Sequence, residues 1–317
     1  MIYKLSENRV HRTYCGGKKI DAFTGIPAPA DRMPEDWTAS ITSAYDSAGN
    51  LEGIGTTTDG KRLPDLIGDD AYPLLVKLLD AEERLVIQAH PTASFARKYL
   101  HSNFGKTECW YFLDCAPDAY VYIGFQPDAT RERWEKAFLA QDVAAMIGML
   151  HRVPVKKGDF IFVAGGVPHA IGPGCFMIEL QEPSDLMVVA ERFTPSGRKI
   201  PEQRMNMGLP FNRMMDVYDY TPRSFAQLKK ALMPSPVYLG NGATEILGKE
   251  TTDQFRMLRL DENGAFSLSK KYAVGICISG QGKLNETEVK RGDRMLIQAE
   301  PILNFDGSGD FSIILCC

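Results

Sequence analysis

Apolar and polar positions along this chain alternate in short runs far more often than they repeat with a helical period. The stretch RLVIQAHP, residues 84–91, predicts a strand in which Gln88 and His90, two apart, share one face while Ile87 and Ala89 take the other. Pro91 ends it. From Val153 onward, VPVKKGDFIFVAGGVPHAIGPGCFMIELQEPSD sets apolar runs between closely spaced Gly, Pro and Asp, a strand-and-turn rhythm that suits a barrel or jelly roll. Residues 1 to about 60 carry Gly, Pro and Thr without a sustained helical period, so β-structure and loops are expected there, with a short strand over 39–44.

Helices are expected in two places. DATRERWEKAFLAQDVAAMIGMLHRV predicts a helical insertion around 126–151, capped by Asp128 or Thr130, with Trp134, Phe138, Leu139, Met146 and Leu150 as its core-facing side. Shorter helices are expected near 71–101, including TASFARKYL behind Thr92 or Ser94. A boundary falls at Pro-Ser-Pro, residues 234–236, dividing the chain into 1–233 and a smaller β-domain over 234–317. In that second part, EVKRGDRMLIQAEP echoes VPVKKGDFIFVAGGVP: a basic residue, a Gly-Asp turn and a four-residue apolar run. The later copy has no histidine, so only the first can hold an imidazole metal site.

Composition narrows the function classes. Of 317 residues 44% are hydrophobic, enough for a large core, and 36 basic against 40 acidic residues give a net charge of -4 with no long run of either sign. Nucleic acid and acidic membrane surfaces are therefore not expected partners. The N-terminus lacks the apolar region of a signal peptide and no stretch nears the roughly 18 apolar residues of a membrane span, so a cytoplasmic protein is expected. Seven cysteines, scattered without a C-x-x-C pair, are read as reduced thiols.

Chemistry concentrates on few histidines. Of the five, at 11, 90, 101, 151 and 169, only His90 and His169 sit in strand-like apolar contexts; the others read as surface or capping groups. With Gln88 and Glu108 they make two imidazoles, one carboxylate and one amide oxygen, a mixed set suited to zinc or another divalent ion with positions open to water or substrate. Lys106, two residues before Glu108, shares its face on a strand.

Four motifs in order, VIQAHP, GKTECWYFLD, KKGDFIFVAGGVPHAIGPG and IELQEPSD, resemble the type I mannose-6-phosphate isomerases of the cupin superfamily. The resemblance covers most of the chain and implies a mainly β fold, a cupin jelly roll with helical insertions and a smaller C-terminal β-domain. It implies one Zn2+ per chain on Gln88, His90, Glu108 and His169, with manganese, cobalt or iron also acceptable to such ligands. It implies a sugar phosphate substrate, mannose 6-phosphate exchanged with fructose 6-phosphate through an enediol, with Lys106 and Asp185 in the catalytic set. Two positions depart from the family pattern. Where it has an arginine, four residues beyond the acid, this chain has Val189, and Arg192 replaces it only if the strand is bulged. Where it often has a hydroxyl, this chain has Val86. A different sugar, phosphorylated or not, a carbohydrate-binding role without turnover and a cupin oxygenase are the alternative readings; the sequence leaves the oligomeric state open.

Overall fold

Strands carry the core of the computed structural model, which describes residues 1–30, 32–46, 48–68 and 72–317. A six-stranded sheet runs in the order Phe160–Val163, Glu108–Cys115, Cys175–Gln181, Leu75–Ala81, Glu35–Ala39, Arg9–Val10. A five-stranded sheet runs Leu150–Pro154, Tyr120–Phe125, His169–Ile171, Gln88–Ala89, Val188–Val189. All these pairings are antiparallel. Val121, Ile123 and Ile171 of the second sheet pack with Trp110, Phe112 and Ile178 of the first in one buried cluster. Of the barrel or jelly roll that the turn spacing suits, this is the two-layered form: each sheet buries one apolar face on the other.

The five-stranded sheet has a second apolar side. Ile87, Ala89, Phe125, Ala170 and Val188 pack there against Trp134, Phe138, Met146, Met214 and Met215 from helices. The expected helical insertion is two helices, Arg131–Ala140 and Val143–Gly148, because Gln141 turns left-handed between them (φ 53°). Its side chain uses the break: Nε2 donates to the carbonyls of Phe138 and Ala190, and Oε1 accepts from the Arg192 N–H at 2.7 Å. The break also redirects the apolar face. Trp134, Phe138 and Met146 are buried, but Leu139 is exposed, and Leu150 opens a strand. Thr130 is the cap.

Other sequence expectations shift for tertiary reasons. Only Gln88–Ala89 of the 84–90 stretch pairs as a strand, because the Leu85 N–H goes to the Ile171 carbonyl and the Ile87 N–H to the Glu191 carboxylate. In the window 71–101, Ala71 lies outside the described residues, Leu75–Ala81 is a strand, and Ala93–Tyr99 is a helix capped by Thr92. Over 39–44 the expected strand is displaced, to Glu35–Ala39 and Ala44–Tyr45. A helix, Lys18–Thr24, interrupts the expected loops. Its first N–H groups are satisfied from afar, by Asp80, which accepts from Gly17 and Lys19 at 2.8 and 2.9 Å. His151 is buried on a strand, its Nε2 at the Arg223 carbonyl, rather than exposed.

A nine-stranded sheet holds the strands from Val237–Gly240 to Ile302–Cys316. It also takes the first strand of the chain, Ile2–Lys4, which pairs with Arg294–Gln298. The sequence echo is a structural one. Lys156–Asp159 and Lys290–Asp293 make the same turn, each with a left-handed glycine (Gly158, Gly292) and the Asp accepting from the Lys N–H at 3.0 Å. Each turn feeds a buried apolar strand. The buried pair Arg294–Asp36 ties this sheet to the strand Glu35–Ala39. No helix among the described residues is long and apolar enough to cross a membrane.

Candidate metal centre

Glu108 begins one strand of the six-stranded sheet, His169 begins a strand of the facing sheet, and His90 follows the Gln88–Ala89 strand beside it. The sandwich therefore brings residues 90, 108 and 169 to one point between its layers. Their ligand atoms lie within 4.8 Å of one another, and all three side chains are buried. Glu108 Oε2 stands 3.2 Å from His90 Nε2, and Oε1 stands 3.4 Å from His169 Nε2.

The imidazoles are oriented from behind. His90 Nδ1 meets the Leu186 carbonyl at 2.9 Å and His169 Nδ1 meets the Val167 carbonyl at 3.0 Å, so each donates through Nδ1 and turns a lone pair on Nε2 inward. Burial, reinforced by the Lys106 charge, pushes His90 down to about 4; burial likewise lowers His169. Both are then neutral at pH 7, the form that binds metal. His169 Nε2 is buried without a hydrogen-bond partner, a costly state for a polar atom unless a ligand completes it. Gln88 lies opposite His169 in the strand register and is half-buried. Two inward imidazole nitrogens, a carboxylate and a neighbouring amide fit a divalent ion of the zinc type.

Lys106 sits against these ligands. Its Nζ is 2.9 Å from His90 Nε2 and 2.7 Å from Glu108 Oε2. Burial opposes its charge, but Glu108 and Glu179 outweigh that and hold the ammonium above its usual range. Glu108 in turn is kept well below the carboxylate range, against burial, by Lys106 and His90.

In front lies a pocket open to solvent. Gln88, Lys106 and Asp185 reach its wall, together with Arg12, Glu35, Lys77, Arg84 and Glu179. Arg12 grips Asp185 with both terminal nitrogens at 3.1 Å, and its Nε stands 2.9 Å from Glu35. Lys77 bonds Glu179 at 3.1 Å and stands 3.6 Å from Glu35. Trp37 lies under both cations, and its indole N–H donates to Glu35 at 2.7 Å. Against the cost of burial, Arg12, then Lys77 and Lys106, keep the Asp185 carboxyl below its ordinary range. The sequence reading missed Arg12, Glu35, Lys77 and Glu179. For Lys77 and Glu179 a signal existed, a charge flanked by apolar residues inside a strand (LVKLL, MIEL); Arg12 carries none.

No family model matches the chain. It is 30% identical over 281 residues to a Bacillus subtilis protein named probable mannose-6-phosphate isomerase GmuF, a match covering 86% of this chain and 84% of that one. The chain belongs to the mannose-6-phosphate isomerase family. Its fold matches the solved mannose 6-phosphate isomerase of Bacillus subtilis over 100% of this chain and 99% of that one, with TM-score 0.76 at 22% identity. A solved mannose 6-phosphate isomerase bound with zinc and yttrium shares the fold at TM-score 0.71 and 16% identity, covering 99% and 98% of the two chains.

For a mannose-6-phosphate isomerase family member, the two departures have structural settings. Val189 is buried with the helices behind the five-stranded sheet, and Val86 lines the pocket. Arg192 does not reach the pocket wall: it is exposed beyond the strand Val188–Val189, its backbone fixed by Gln141. The guanidinium beside Asp185 comes from Arg12, which lies 173 residues earlier in the chain.

Proposed function

We propose that this protein interconverts mannose 6-phosphate and fructose 6-phosphate through an enediol, with one Zn2+ held by His90, Glu108, His169 and Gln88. The observation that carries the reading is the buried His90–Glu108–His169 cluster with Lys106 against it at the inner wall of an open pocket. Bound there, the ion supplies Lewis-acid polarisation of the sugar's carbonyl and hydroxyl oxygens. The protein's own groups do the rest. Lys106 holds a positive charge where enediolate oxygen charge develops. Asp185, kept ionised by Arg12, takes the C2 proton and returns it to C1. Glu35 and Lys77 fix Arg12 and Glu179 so that these charges keep their places. Arg192 has no part in this scheme.

We assign catalysis to residues 1–233, and read 234–317 as a β-domain without metal ligands. Seven free thiols suit a reducing, cytoplasmic setting.

A second reading, the same chemistry on an unphosphorylated sugar, is favoured by the apolar Val86 in the pocket wall. Proton NMR in deuterium oxide separates the two. Zinc-loaded protein is expected to exchange the C2 hydrogen of mannose 6-phosphate with solvent while fructose 6-phosphate appears. Equal or faster exchange with mannose would favour the second reading, and no exchange with either sugar would remove both.

A further inference from the structure

We propose that Cys115 and Cys175 form a reversible disulfide, a redox modification site at the end of the sandwich away from the metal centre. The two residues sit directly opposite each other on neighbouring antiparallel strands of the six-stranded sheet. On the next rung the Ala116 N–H donates to the Gly174 carbonyl at 3.0 Å, which makes the cysteine pair a non-hydrogen-bonded one. Cα atoms at such a pair are about 4.5 Å apart with side chains close together, within the span a disulfide bridges. The strands are close here: a Cβ added to Gly174 would fall 2.5 Å from the Ala116 Cβ.

Each thiol influences the other, so that Cys115 is lowered and Cys175 raised, while the Cys175 thiol donates to the Tyr120 carbonyl at 3.8 Å. A fixed cation stands beside them. Lys19 Nζ bridges Asp114 at 2.8 Å and the Gly174 carbonyl at 3.1 Å, the residues immediately before the two cysteines. Cys115 is half-buried, so a small reagent can reach it, whereas Cys175 is buried behind it. That arrangement gives an attacking thiol at the surface and a resolving thiol within reach.

The co-reactant is a small-molecule disulfide such as oxidised glutathione. The Cys115 thiolate attacks one of its sulfurs, forming a mixed disulfide and releasing one glutathione thiolate, which takes the Cys175 proton. The Cys175 sulfur then attacks the Cys115 Sγ, forming the cross-strand bond and expelling the second glutathione. Two protein thiols are oxidised and one external disulfide is reduced. The bond would join the strands that carry Glu108 and Glu179, at a distance of about seven residues, roughly 23 Å, from Glu108.

The test is a thiol count on the full chain in excess oxidised glutathione, after denaturation, with peptide mapping. The count should fall from seven to five, with Cys115 linked to Cys175, and return to seven in excess reduced glutathione. C175A should retain glutathione on Cys115, and C115S should keep its remaining thiols free. A count that stays at seven, a bond mapped to any other pair, or glutathione held on Cys115 in the unsubstituted protein would overturn the proposal.

Discussion

Replacing Arg12 by Met removes a guanidinium while keeping much of its length, and leaves two carboxylates facing one another. Asp185 loses both of its partners at 3.1 Å, while Glu35 keeps Lys77, Tyr14 and Trp37. Hydrogen bonds to charged groups contribute about 1.5–3 kcal/mol each, and removing one partner of a buried pair costs about 3–5 kcal/mol. The Asp185 side chain is 32% exposed, so water replaces part of that loss. A net figure of about 2–3 kcal/mol follows for holding the ionised carboxylate in place, or roughly 30- to 150-fold in kcat/KM if that carboxylate moves the proton. The sign of the pH effect is fixed as well. Arg12 is the main force holding Asp185 low, so in R12M burial and the nearby Glu35 dominate and the carboxyl titrates higher. The acidic limb of the pH–rate profile for mannose 6-phosphate should therefore move to higher pH, and R12K should recover part of the loss. A profile with an unmoved acidic limb, or a variant within threefold of wild type, would refute the role given to Asp185.

Further expectations rest on the same geometry. H169A should lose bound metal by atomic absorption and isomerase activity together; full metal content in a folded variant would be incompatible with the proposed ligand set. E191A removes the carboxylate that grips Arg84 at 2.6 and 2.8 Å and the Ile87 N–H at 2.7 Å, and should cost about 3–5 kcal/mol in urea unfolding; less than 1 kcal/mol would mean that the 84–87 segment is held otherwise. For metal-free protein, His90 titrates at about 4 when folded and near its ordinary 6.5 when unfolded, so the unfolded chain takes up the proton first. This group's share of stability is present above pH 6.5 and is lost as pH falls to about 4, amounting to about 3 kcal/mol. Chemical denaturation across that range should show the fall, and H90Q should flatten it.

The metal cluster was legible because its residue types are rare and their settings distinctive. Two histidines in apolar strand contexts, with Gln88 two residues before His90 and Lys106 two before Glu108, are enough to nominate a centre, and the fold brings His90, Glu108 and His169 together. The surrounding charges were harder to read. Arg12 reaches Asp185 only because the chain's first segment runs along the sandwich, and no local pattern encodes a contact 173 residues long. Secondary structure went astray for the same kind of reason. Residues 84–87 have strand alternation, but a buried carboxylate takes the Ile87 amide that a ladder would need. The helix Lys18–Thr24 has its first N–H groups satisfied by an aspartate about sixty residues away. Gln141 looks like a helix residue until its side chain is seen holding Ala190 and Arg192.

The strand Ile2–Lys4 pairs with Arg294–Gln298, so this ladder joins segments about 290 residues apart in sequence. Until the 294–298 segment is in place, Ile2 and Tyr3 have no ladder to join, and the nine-stranded sheet lacks strands it needs. The sandwich that holds His90, Glu108 and His169, whose strands run from Arg9 to Val189, is complete without that segment. The nine-stranded sheet is not. Its assembly is a long-range event, of the kind that folds slowly, and a chain truncated near residue 290 would keep the sandwich but present an open sheet edge.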